Sequence, residues 1–95
     1  MSLEFEWDAK KAQANRATHE IDFEEALTVF RDPLARIFDD EAHSQIEPRE
    51  IIIGHSVKQR LVLVCFTVRQ STIRIISARR ATPLERKDYE ENVRP

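Results

Sequence analysis

Arg60-Leu61-Val62-Leu63-Val64-Cys65-Phe66-Thr67-Val68-Arg69 is the stretch that sets the fold. It is almost continuously apolar and rich in β-branched residues, as a central strand buried on both faces should be. It is also far short of the ~20 apolar residues that a membrane span requires. Val57-Lys58-Gln59-Arg60 turns the chain before it, and Gln70-Ser71 turns it after. Working outward, Thr72 to Ala78 reads as the last strand, with Arg74 on one face. Arg49 to His55, around Ile51-Ile52-Ile53, reads as the strand before, and Ala35 to Asp39, with Ile37 and Phe38, as the first of the four. Consecutive strands joined by short turns predict an antiparallel meander.

The flanks carry helix signals. Leu3-Glu4-Phe5-Glu6-Trp7 alternates with period two, which predicts a short strand with Leu3, Phe5 and Trp7 facing inward. Asp8 is placed to cap a helix over Ala9 to Thr18, a run of Ala, Lys, Gln and Arg. Along it Lys11, Asn15 and His19 recur every four residues and form one polar stripe. Asp22 is placed to cap a second helix, with Glu25 at the reciprocal capping-box position. Phe23, Ala26, Leu27 and Phe30 form its apolar face, and Asp32-Pro33 ends it. Thr82, Pro83 and Glu85 give a final helix its cap, its first residue and its capping box, with Leu84, Tyr89 and Val93 as the apolar residues. The expected architecture is one α+β domain over residues 1–95: a small antiparallel meander flanked by two N-terminal helices and one C-terminal helix.

Composition narrows the functional classes. The chain has 95 residues, 41% hydrophobic and 34% charged, enough apolar content for one core and too much for a disordered chain. Its 15 basic and 17 acidic side chains give a net charge of −2, which argues against a general nucleic-acid binder. The total hides a split: residues 1–48 sum to −7 and residues 49–95 to +5. Either the basic half carries an anionic ligand or the halves interleave in space and their fields cancel. The single cysteine, Cys65, excludes an internal disulfide and a multi-cysteine zinc site. It reads as a buried core thiol in a reducing compartment. The N-terminus lacks the basic and apolar regions of a secretory signal, so the expected location is cytoplasmic.

Several side chains can carry chemistry. Arg79-Arg80, at the end of the last strand and just before a helix cap, reads either as a phosphate grip or as two solvated arginines. His19 can act as a general acid or base near neutral pH. His43 and His55 are weaker candidates, and no His-x-x-x-His metal pattern occurs. Trp7 can stack on a base or fill the core. Lys11 can reach a phosphate or pair with Asp8. The acidic clusters Asp22-Glu24-Glu25 and Asp39-Asp40-Glu41 lack a calcium-loop pattern and read as solvated faces. With glycine present only at Gly54, a phosphate-cradling glycine loop is excluded.

Taken in order, the segments resemble the BrnT family, the toxin half of a type II toxin–antitoxin pair. The matching residues are Phe5-Glu6-Trp7-Asp8, Lys11-Ala12, Asn15 and His19. Next come Phe23-Glu24-Glu25-Ala26, Val29-Phe30-x-Asp32-Pro33, Arg49 and Gly54, and then Ile73 through Thr82 with Glu85-Arg86 and Tyr89. Where the family usually has Lys-His-Gly, this chain reads Thr18-His19-Glu20. The resemblance implies a RelE-like fold and a metal-independent endoribonuclease with no cofactor, which arrests growth by cutting RNA. It implies a cognate ribbon-helix-helix antitoxin, BrnA-like, through which alone DNA is contacted, and no membrane partner. On that basis His19, Lys11, Arg79 and Arg80 are the expected catalytic residues, and Arg49, Trp7 and Arg74 the expected RNA contacts. A second reading is a catalytically weak module that serves only as antitoxin partner and co-repressor; Thr18 and Glu20 motivate it.

Overall fold

The computed structural model describes residues 3–43 and 47–92. Val93 and the side chain of His43 lie outside the described residues. The elements in chain order are β1 (Glu4–Glu6), α1 (Ala9–His19), α2 (Phe23–Thr28) running into a 3-10 turn at Val29–Arg31, β2 (Arg36–Asp39), a second 3-10 turn at Glu41–His43, β3 (Glu50–His55), β4 (Leu61–Arg69), β5 (Thr72–Arg80) and α3 (Pro83–Asn92).

One five-stranded sheet has the order β1-β5-β4-β3-β2. The strands β2 to β5 form the expected antiparallel meander, with β4 in the centre. The sheet is nevertheless mixed, because β1 pairs parallel with β5 through Glu4–Thr72, Phe5–Ile73 and Glu6–Arg74. No hairpin forces β1 into antiparallel pairing, since the whole chain from α1 to β4 separates it from β5. Its direction lets Phe5 meet Phe30 edge-on at 5.2 Å and Trp7 meet Phe23 at 5.8 Å. Leu3, expected inward, is exposed and lies just before the paired residues.

The central strand is apolar on both faces because each face has its own core. Val62, Val64 and Phe66 pack with Ile52, Ile73, Ile75 and Ala78 against Ile21, Phe23, Ala26 and Val29. On the opposite face Leu61 and Leu63 pack with Ile53 and with Tyr89 of α3. Tyr89 is buried as expected, whereas Leu84 is exposed.

A β-bulge interrupts β5. Cys65 pairs with Ser77 but Phe66 pairs with Ile75, so Ile76 is the extra residue. Side chains alternate across a strand, and one extra residue exchanges the faces beyond it. Ile73 and Ile75 therefore share the α2-side core with Ala78, and Ser77 and Arg79 come to the other face.

The caps follow the sequence with one exception. Asp8 accepts from Lys10 and Lys11 N–H at 2.8 and 3.1 Å, and Asp22 accepts from Glu25 N–H at 2.7 Å. Glu25 does not complete its capping box. Its buried carboxylate accepts from Ser56 Oγ at 2.7 Å and Arg60 Nε at 2.9 Å, and from Arg60 Nη2, tying α2 to the β3–β4 turn. Burial pushes this carboxyl up, but the hydrogen bonds from Arg60 and Ser56 outweigh it and hold Glu25 below the usual range.

Candidate active site

Asn15 positions the site. It is the middle residue of the polar stripe on α1, yet it is buried. Its carboxamide accepts from Ala78 N–H at 3.0 Å and donates to Ala78 C=O at 2.8 Å and Ile21 C=O at 2.9 Å. The paired residues of β1 reach only to Arg74, so Asn15 takes the place of a neighbouring strand farther along β5. This docks the C-terminal turn of α1 beside the end of β5 and brings His19 to the sheet.

There a groove of about 280 Å³ is lined by His19, Asp40, Arg49, Ile51, Leu63, Cys65 and the β5 segment Ile76 to Arg79. Three expected site residues, His19, Arg49 and Arg79, thus come together from α1, the approach to β3 and the end of β5. The charge split of the sequence is resolved here by interleaving. His19 and Asp40 come from the acidic half and Arg49 and Arg79 from the basic half, while Glu25–Arg60, Glu47–Arg69 and Glu6–Arg74 pair charges across the halves.

Helix α1 ends without a glycine. Glu20 itself adopts the left-handed cap, with φ 60° and its N–H on Arg16 C=O at 2.9 Å. His19 is therefore the last helical residue even with glutamate in the capping position.

Arg79 carries a partner of its own. Nη1 donates to Glu85 Oε1 at 2.7 Å and Nη2 to Glu85 Oε2 at 2.8 Å. Glu85 also forms the expected capping box, its Oε1 accepting from Thr82 N–H at 2.8 Å and its N–H donating to Thr82 Oγ1 at 3.1 Å. The Arg79 hydrogen bonds, with those from Thr82, hold the Glu85 carboxyl down at about 2 against its partial burial.

The other expected residues lie elsewhere. Arg79 and Arg80 are consecutive in a strand and point to opposite faces, so they do not form a single phosphate grip; Arg80 is exposed and outside the groove. Lys11 is two helical turns, roughly 12 Å, from His19 and does not line the groove. Trp7 packs against Phe23 as part of the core rather than as an open stacking platform. Arg74 faces Glu6 at 3.6 Å, farther down β5.

Asp40, Cys65, Ser77 and Glu85 are the polar groups that residue-by-residue reading missed. Cys65 is half-buried at the groove rather than in the core. Its thiol donates to Asp40 Oδ2 at 3.7 Å, and burial, with the nearby Asp40 charge, pushes it up to about 11. The signal for Ser77 was the alternation with Arg79, and for Cys65 its cross-strand register with Ser77; both depend on locating the bulge.

His55 lies outside the groove, at a second polar cluster. Asp32 accepts from His55 N–H at 2.7 Å and Leu34 N–H at 2.9 Å, and Tyr89 Oη donates to Leu34 C=O at 3.2 Å. A Cβ at Gly54 would stand 2.8 Å from Ala35 Cβ and 3.0 Å from Asp32 Oδ2, so this glycine is required by space. Among the described residues no three His, Cys, Asp or Glu side chains gather as metal ligands, and no helix is long and apolar enough to cross a membrane.

The fold and groove together define a small α+β protein with a histidine- and arginine-lined cleft on one face of a mixed sheet. The particular family follows from comparison with known proteins. The family model described as "Ribonuclease toxin, BrnT, of type II toxin-antitoxin system" matches residues 7–85, and the chain belongs to that family. The crystal structure of the Brucella abortus ribonuclease toxin BrnT is similar to it, with a TM-score of 0.67 and 26% sequence identity, covering 85% of this chain and 99% of that one. No curated protein sequence matches the chain.

Proposed function

We propose that this chain is a metal-independent endoribonuclease toxin with a RelE-like fold, which cuts RNA in the groove beside β5 and is neutralised by a cognate ribbon-helix-helix antitoxin. Membership of the ribonuclease toxin family supports the activity. The observation that carries the choice of site is the convergence of His19, Arg49 and Arg79 on one groove.

Cleavage without a metal proceeds by attack of the ribose 2′-OH on the adjacent phosphorus, closing a 2′,3′-cyclic phosphate and releasing the 5′ oxygen. A base must take the 2′ proton, an acid must protonate the departing oxygen, and cations must offset charge on the equatorial oxygens. His19 is the proton-transfer residue in this reading. Arg49 and Arg79 supply the positive charge. The left-handed cap kept by Glu20 favours an active site over a purely structural partner, because it preserves the helix end that presents His19.

The test is cleavage of a labelled RNA by the purified chain in excess EDTA, with growth measured on induction. Folded His19→Ala should lose ~10²–10⁴-fold in rate and Arg79→Ala ~10²–10³-fold, whereas Arg80→Ala should lose little. Folded His19 and Arg79 variants as active as the parent would sink the assignment. A neighbouring reading frame for a ribbon-helix-helix protein whose product co-purifies and restores growth would support the antitoxin reading; a chain that needs no such partner to be tolerated would count against it.

A further inference from the structure

We infer that Glu85 is a positioning residue for Arg79, fixing the guanidinium so that one chosen edge faces the groove; this rests on reading the groove as the RNA-cleavage site. The two-pronged bridge to Glu85 uses one N–H of Nη1 and one of Nη2. The second N–H of Nη1 donates to Arg80 C=O at 3.3 Å. Of the five N–H groups of a guanidinium, the two left are those on Nε and on the Nε-facing side of Nη2. They lie side by side on one edge of the plane, which is the fork that matches two oxygens of a phosphate.

Glu85 is itself held on two sides. Its Oε1 accepts from Thr82 N–H and its own N–H donates to Thr82 Oγ1, both in the first turn of α3. Four residues farther on, Tyr89 is buried against Ile53, Leu61 and Leu63. The direction of Arg79 is therefore tied to the docked helix rather than left to the rotamers of a long side chain.

The arrangement has a kinetic signature. A carboxylate beside a phosphate-binding arginine weakens the pull on a ground-state phosphate, so Glu85 does not serve substrate affinity. Its benefit is preorganisation in the transition state. Steady-state cleavage of a labelled RNA oligonucleotide by the parent, Glu85→Gln, Arg79→Ala and the double variant, with Tm for each, separates the contributions. Glu85→Gln should lower kcat on the order of tenfold, less than the ~10²–10³-fold loss for removing a stabiliser outright, with KM unchanged or lower. It should cause no further loss of kcat in the Arg79→Ala background, where only the Thr82 capping share of its effect on Tm remains. Glu85→Asp keeps the charge but is one methylene too short for the fork, so it should show the same loss of kcat if the glutamine variant folds poorly. Equal losses of kcat in both backgrounds, or full kcat for Glu85→Gln and Glu85→Asp, would overturn the positioning role alone. A parent chain that cleaves no RNA would overturn the cleavage reading and this role with it.

Discussion

Replacing Asn15 by alanine should damage the fold rather than the chemistry, although Asn15 lies on the same helical stripe as His19. Three hydrogen bonds are lost, and Ala78 N–H, Ala78 C=O and Ile21 C=O are left without that partner. A buried polar group stripped of its partner costs ~1–3 kcal/mol. Taking the lower end of that range for each of the three groups, about 3 kcal/mol is expected in all. At roughly 4–8 °C per kcal/mol for a domain of this size, Tm should fall by about 12–24 °C. Thermal unfolding followed by circular dichroism at pH 7 measures it. Asn15→Asp sharpens the test: its carboxylate still accepts from Ala78 N–H but has no N–H for the two carbonyls. It should be at least as destabilised as alanine. Cleavage assayed well below either Tm should survive in the folded Asn15→Ala fraction. A variant that melts within about 2 °C of the parent yet cleaves nothing would refute the reasoning and make Asn15 part of the chemistry.

Other perturbations follow from the same geometry. Glu20→Gly should stabilise by about 1 kcal/mol, since a left-handed conformation costs a side-chain-bearing residue ~1–2 kcal/mol and glycine returns part of that in entropy; a Tm equal to or below the parent's would contradict the cap. Gly54→Ala should destabilise by about 2 kcal/mol through overpacking, because Ala35 Cβ has no rotamer by which to move aside; urea unfolding at parental stability would count against it. Glu25, Asp32 and Glu85 have folded-state carboxyls below their usual values. Their contributions are complete above the unfolded glutamate value of 4.5 and are lost as pH falls toward about 2, where Glu85 titrates. Tm should hold from pH 7 to about 5 and then decline, and Glu85→Gln should make that decline shallower; an identical slope in that variant would argue against the Arg79 bridge.

Much of this fold was legible because local and long-range signals agree. The apolar Leu61–Phe66 run needs cover on both faces and receives it from α2 on one side and α3 on the other. The Asp8, Asp22 and Thr82 caps were readable from spacing, since each bond spans only two or three residues. Glu25 was misread for the opposite reason: its partners Ser56 and Arg60 are more than thirty residues away, and nothing in the Asp22-x-x-Glu25 spacing reports them. The direction of β1 was equally hidden, because it is set by where Phe5 and Trp7 find aromatic neighbours. Of the motif residues, His19, Arg49 and Arg79 come together at the groove, while Lys11, Trp7, Arg74 and Arg80 lie elsewhere. Trp7 obeyed the ordinary pull of an indole into the core.

In sequence Arg79 and Arg80 look interchangeable, as if either could stand in for the other. The extra residue at Ile76 decides which of them looks into the groove. What specifies the arginine is thus a count of residues, not an identity. Conservative exchanges along Ile75 to Ala78 leave that count intact, whereas straightening the bulge at constant length would restore plain alternation and hand the groove to Arg80. This short segment should accept variation in composition far more readily than loss of its bulge.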